Sequence, residues 1–232
     1  MKRYLVVGGA TGTGKAIVDG LIKEGNIVYA TYNSTKIDQT HPNLQVFKHD
    51  VMTDEIDRQR LPVTLDGLVY CPGSIVLKPF RTFSSKQFEE DFRLQVSGAI
   101  NAIQSCLPLL KKVEQSSIVL FSTVAVQMGY AFHSLVSSSK GALEGLTRSL
   151  AAEFAPNIRV NAIAPSLTNT PLAQKLLSTE ERINANAERH PLKRIGTTKD
   201  LAAAACYLLN ERSSWVTGQI MHVDGGMSSI KI

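Results

Sequence analysis

The chain has 232 residues, of which 44% are hydrophobic and 19% charged, a balance too apolar for a disordered segment in a chain long enough to bury a full core. The formal net charge is +5, but the Lys and Arg residues are dispersed, so the excess reads as a solvated basic surface suited to an anionic ligand and not as a nucleic-acid stripe. Three cysteines (Cys71, Cys106, Cys206) and five histidines form neither a disulfide framework nor a metal-ligand spacing, and no run reaches the roughly 18 apolar residues that cross a bilayer. The apolar opening up to Val7 is too short for a leader peptide and breaks at Gly8-Gly9, so a cytoplasmic protein with no metal, membrane or nucleic-acid partner is expected.

In chain order, short β-branched runs alternate with longer helical patterns, which predicts parallel strands joined by crossover helices in an α/β doubly wound sheet. Strands are expected near residues 3–8, 27–32, 45–48, 66–70, 116–122, 158–164 and 219–223. Helices are expected near 13–24, 86–111, 135–155, 172–188 and 199–210, where apolar residues recur every three or four positions, with a short polar helix between Met52 and Val63. No repeat, linker or low-complexity tract marks a boundary, so one domain over 1–232 is expected.

The first strand runs into Gly8-Gly9-Ala10-Thr11-Gly12-Thr13-Gly14-Lys15 and then into the apolar helix beginning at Ala16. Glycines in that context let the backbone turn tightly and approach a pyrophosphate, whose charge is met by free N–H groups and the helix dipole. A purely structural turn would show the same letters. Gly9 to Lys15 also reads as a nucleoside-triphosphate loop, but Ala16 stands where that loop needs a hydroxyl for magnesium.

Taken from Gly8 through Gly12 to Gly14, the glycines resemble the fingerprint of the short-chain dehydrogenase/reductase family. The resemblance continues through Asp50-Val51, Pro72-Gly73 and Arg159-Val160-Asn161 up to Pro165, and ends at Gly218-Gln219 and Asp224-Gly225-Gly226. It implies a Rossmann-type sheet of about seven strands, a bound nicotinamide dinucleotide and a homodimer or homotetramer. By the same resemblance Asp50 and Val51 sit beside the adenine, Cys71, Pro72 and Gly73 along the cofactor, and Pro165, Thr168 and Thr170 over the nicotinamide and phosphates. Singly, Asp50 could equally be a cap and Pro165 a loop former. The second strand ends Tyr32-Asn33-Ser34-Thr35-Lys36 with no carboxylate for the ribose hydroxyls, which favours NADP(H) over NAD(H).

The family uses a tyrosine as acid and base with a lysine four residues later, on one helix face. Lys140 matches the lysine, but Val136 occupies the tyrosine position. Thr123 falls where the family has its catalytic serine, and Gln95 where an asparagine supports a water relay. His133, one helical turn before Val136, and Tyr130 are the candidates to replace the tyrosine, and a helix extended by a turn would align His133, Val136 and Lys140. Ser137 and Lys140 also spell S-x-x-K, an acyl-hydrolase pair whose partner elements are absent. Two functions remain open at this stage: an oxidoreductase acting on a carbonyl/alcohol pair with an atypical site, most like 3-oxoacyl-carrier-protein reductases in its overall motifs, or a catalytically impaired dinucleotide-binding protein serving as sensor or structural partner.

Overall fold

A computed structural model describes residues 1–231. The elements in chain order are β1 (Arg3–Val7), α1 (Gly12–Lys23), β2 (Ile27–Tyr32), β3 (Leu44–Lys48), β4 (Gly67–Tyr70), α2 (Ser85–Phe92), α3 (Gly98–Leu110) and β5 (Ser116–Phe121). They continue with α4 (Ala125–Met128), α5 (Ser134–Phe154), β6 (Ile158–Pro165), β7 (Thr168–Asn169), α6 (Glu180–Glu188), β8 (Gly196–Thr197), α7 (Thr198–Leu209) and β9 (Ile220–Val223). Seven strands form one wholly parallel sheet in the order β3-β2-β1-β4-β5-β6-β9, with Leu5 paired to Tyr29 on one side and to Leu68 on the other.

Because side chains alternate along a strand, each strand feeds two cores. Leu5, Val7, Leu68, Tyr70, Ile118 and Leu120 meet Ala99, Ala102 and Cys106 of α3 and Leu143 and Ala151 of α5. Tyr4, Val6, Val28, Val69 and Val119 meet Ile17, Val18 and Leu21 of α1 and Leu201, Ala205 and Leu208 of α7 on the opposite face. Burial on both faces is why the strands read as continuous apolar runs. Leu109 and Leu110 are interior.

Arg159 is buried and caps the carboxyl end of α7, its guanidinium donating to the carbonyls of Leu208 at 2.9 Å and Asn210 at 3.1 Å. Asn161 donates to Val216 O at 2.9 Å and accepts from Gln219 N at 3.0 Å, which holds the approach to β9 beside β6. The Arg159-Val160-Asn161 motif is thereby a clamp between β6, α7 and β9.

Four expectations are corrected. Between Met52 and Val63 there is only a single 3-10 turn at Arg58–Arg60, because the segment has too few apolar residues to bury a helical face. The helix expected over 172–188 begins only at Glu180, where Thr179 caps it, and is preceded by a 3-10 turn at Pro171–Ala173 that Thr170 caps. The helix expected over 86–111 is interrupted by a π turn at Arg93–Ser97, which divides α2 from α3. Tyr70 Oη fills that break, donating to Leu94 O at 2.5 Å, and only a glycine fits opposite, since a Cβ on Gly98 would lie 2.2 Å from the same oxygen. Finally, α5 begins at Ser134 and leaves His133 just outside as its cap residue.

Candidate active site

The sheet reverses its winding between β1 and β4, and the crevice beyond the carboxyl ends of the strands opens there, where open α/β sheets bind ligands. It is a cleft of about 900 Å³. Gly8 and Gly12 adopt φ of +77° and +54°, a left-handed backbone that excludes most side chains. A Cβ on Gly14 would fall 2.1 Å from Gly8 O, so the turn packs directly on the first helical turn. Thr31 fixes it to β2, its hydroxyl accepting from Gly8 N at 3.0 Å and its carbonyl from Gly9 N at 2.9 Å. The N-terminus of α1 has no side-chain cap and no acidic residue in its first turn, leaving free N–H groups for an anion.

Gly8, Thr11, Gly12, Thr13 and Gly14 line the cleft together with Asn33, Ser34, Thr35, Asp50, Val51, Cys71, Pro72, Gly73, Pro165, Thr168 and Thr170. All the residues named from the sequence as cofactor contacts therefore share one wall, whereas Lys36 is exposed and outside it. Asp50 is the one carboxylate in the lining, and it accepts from Met52 N at 2.9 Å, so it also shapes its own turn. His49 joins this end, its imidazole pK pulled down by burial against the opposing pull of Asp54 and then Asp50.

Thr123, Lys140 and His133 line the same cleft, as do Val136 and Tyr130. Thr123 Oγ accepts from Ala125 N at 3.3 Å, which leaves its own hydrogen for another acceptor. Lys140 is 8% exposed, and burial pulls its ammonium pK down to about 8, with Asp91 and then Cys71 acting in the other direction. Burial pushes the Cys71 thiol up to about 12. His133 Nδ1 lies 2.8 Å from Ala131 O, and since a carbonyl only accepts, Nδ1 carries the hydrogen and Nε2 is the ring's free nitrogen. Phe132, with φ +68°, makes the reversal that brings His133 round, and its carbonyl accepts from Lys78 N at 3.3 Å. Tyr130 tilts against the His133 ring at 5.4 Å beneath the Arg189 guanidinium, and burial pushes its phenol up despite that cation.

Two competing motif readings fail on geometry. Lys15 Nζ pairs with Asp19 at 2.8 Å and Gln39 at 3.2 Å on the outside of α1, away from any phosphate above the turn. Ser137 donates to Ala125 O at 3.3 Å and not to Lys140. Among the described residues no group of three His, Cys, Asp or Glu could hold a metal, and no helix is long and apolar enough to cross a membrane.

The cleft also contains residues not singled out from the sequence: Ser74, Ser166, Asn186, Arg189, His190 and Met227. His190 is 2% exposed, its Nδ1 donating to Asn186 O at 2.7 Å and its Nε2 accepting from Ser166 Oγ at 2.8 Å. They arrive from the loops after β4 and β6, from α6 and the residues that follow it, and from the turn after β9, which no local spacing ties to α5. Gln95 also lines the cleft and donates to Asp91 at 2.7 Å. Asp91 was readable: with Gln95 it stands on the apolar stripe of Phe88, Ala99 and Ala102, where a carboxylate has no reason to be unless it is bonded.

Residues 8–228 match the family model described as enoyl-(acyl carrier protein) reductase. A tropinone reductase homolog of Arabidopsis thaliana is 32% identical over 240 residues, covering 97% of this chain and 92% of that protein. The L-xylulose reductase of Bos taurus is 31% identical over 235 residues, covering 97% and 96%. Among solved structures, the ligand-free aldohexose dehydrogenase of Thermoplasma acidophilum superposes with a TM-score of 0.88 at 25% identity, covering 100% of this chain and 96% of that one. ElxO with NADP bound superposes at 0.87 and 26% identity, covering 99% and 100%. With the sheet order, the glycine turn and a match over nearly its whole length, the chain belongs to the short-chain dehydrogenase/reductase family of oxidoreductases.

Proposed function

We propose that the protein is an NADP(H)-dependent oxidoreductase that interconverts a small carbonyl compound and its alcohol, with His133 in the proton-transfer role that a tyrosine fills in its family. The observation that carries this reading is that the glycine turn, Thr123, Lys140 and His133 line one cleft. The residues present fit the cofactor: the uncapped start of α1 suits a pyrophosphate, and Asn33, Ser34 and Thr35 offer donors to a 2′-phosphate with no carboxylate on that strand end to repel it. ElxO holding NADP supports the same preference.

The cofactor, when bound, supplies or takes the hydride. The chain does the rest. The Lys140 ammonium holds the nicotinamide ribose, and Thr123 Oγ–H donates to the substrate oxygen and fixes its approach. In reduction the protonated His133 gives its Nε2 hydrogen to that oxygen, and in oxidation neutral Nε2 takes it back. The Nδ1–H bond to Ala131 O keeps the ring in the orientation that serves both directions. Val136, 5% exposed, has no proton to exchange and forms an apolar wall. Tyr130, its phenol pushed up by burial, keeps its proton in the neutral range and is less available as a base.

The test is NADPH oxidation with a panel of ketones and β-ketoacyl thioesters, run on the native protein, His133→Gln and Val136→Tyr after NADPH binding to each is shown by fluorescence. Turnover by the native protein that His133→Gln abolishes supports the proposal. Turnover by Val136→Tyr alone would instead make the native chain a binding protein with a disabled reductase site.

A further inference from the structure

Beneath the cleft lies a buried polar cluster that the reaction above does not use. Asp91 is 6% exposed and is the one buried residue of α2. Its carboxylate accepts from Ser74, which lines the cleft, from Gln95 Nε2 at 2.7 Å and from Ser139 Oγ at 2.6 Å. Three donors converge on it from three segments, and the hydroxyl of Ser139 belongs to the residue just before Lys140. A carboxylate buried at this depth persists only where its charge is met.

The buried ammonium nearby is Lys140. A Cβ on Gly73 would lie 3.3 Å from Gln95 Oε1 and 3.5 Å from Lys140 Nζ, so the amide oxygen and the ammonium crowd the same side of Gly73. Gln95 Oε1 is fully buried and has no hydrogen-bond partner within the chain, while its Nε2 is committed to Asp91. One amide thus has its donor end on the carboxylate and its acceptor end beside the ammonium.

We propose that Asp91 is the internal counter-ion of Lys140, a positioning residue that acts through Gln95 and Ser139 to keep the lysine charged and aimed at the cofactor ribose. No salt bridge joins the two charges among the described residues, so the carboxylate acts through the Gln95 amide and Ser139, and the role rests on the reading that Lys140 binds the cofactor. The ionisable groups acting on Lys140 are Asp91 from α2 and Cys71 at the end of β4. Cys71 keeps its proton across the neutral range, its thiol held up at about 12, so Asp91 carries the charge.

The experiment measures the dissociation constant of NADPH by fluorescence from pH 6 to pH 10 on the native protein and on Asp91→Asn, which keeps shape and loses charge. The native affinity falls as pH rises through about 8, where Lys140 loses its proton. In Asp91→Asn that falling limb moves down by about 1–3 pH units, the range of a close opposite charge. A limb that stays in place, with only the melting temperature lowered, overturns the proposal and makes Asp91 structural. A second measurement needs no variant at Asp91: the Nζ resonance of Lys140 in 15N-lysine-labelled native protein, assigned by its loss in Lys140→Arg. An ammonium at pH 7 is expected, and a neutral amine there overturns the counter-ion. If NADPH binds at no pH, the proposed function fails, and the resonance still decides whether Lys140 is kept charged.

Discussion

At the residue scale, the proposed chemistry turns on His133, whose ring tilts against Tyr130 and which follows the left-handed Phe132. His133→Gln removes the exchangeable proton and keeps a polar side chain, so kcat falls by about 100-fold or more while the NADPH dissociation constant stays within about twofold. Tyr130→Phe, which removes only a hydroxyl already lacking a partner, costs less than about tenfold in the same assay. Steady-state kinetics on the two variants separate the roles. The glycine turn gives an independent test. Gly14→Ala forces a methyl carbon to 2.1 Å from a backbone oxygen, so it lowers stability by about 1–3 kcal/mol in urea unfolding and abolishes NADPH binding.

At the scale of elements, the helices were legible where one face alternates regularly and illegible where the break is made by a distant partner. α1, α5 and α7 stand close to the positions their apolar spacing predicts. The π turn at Arg93–Ser97 has the same letters as ordinary helix, and what stabilises it is Tyr70 from β4. Tyr70→Phe leaves Leu94 O without that donor and lowers stability by about 1–2 kcal/mol, measured by thermal unfolding. The start of α7 is held by a capping box between Thr197 and Asp200 and by a two-pronged pair from Arg194 at 2.7 and 2.9 Å. The Arg194 bond holds the Asp200 carboxyl far below the usual carboxylate range. A depressed carboxylate stabilises the fold at neutral pH and loses that contribution as pH falls through its folded value. The melting temperature of Arg194→Gln is therefore below native at pH 7, and the gap closes toward pH 2.

At the scale of the whole molecule, the sheet was readable because strands buried on both faces are unbroken apolar runs, and the cofactor wall because its glycines and strand ends follow from the topology. The rest of the lining was not. Arg189 and His190 follow the end of α6 and Met227 lies in the turn after β9, and only the folded sheet brings them into one cleft with α5. The net charge of +5 works over a longer range than any of these contacts. NADPH affinity accordingly falls more steeply than NADH affinity between about 50 and 500 mM salt, as screening shortens to a few ångströms. The uniform strand direction bears on how the protein can be handled. With all seven strands of this sheet parallel, the cleft lies beyond the carboxyl ends of the strands and the Met1 end beyond their amino ends. An anchor or fusion partner joined there stands clear of the mouth. One attached through exposed Ser229, two residues after Met227 of the cleft lining, hangs beside it. Immobilised through Met1, the protein should keep its kcat/KM; immobilised through the thiol of Ser229→Cys, it should lose turnover to obstructed entry.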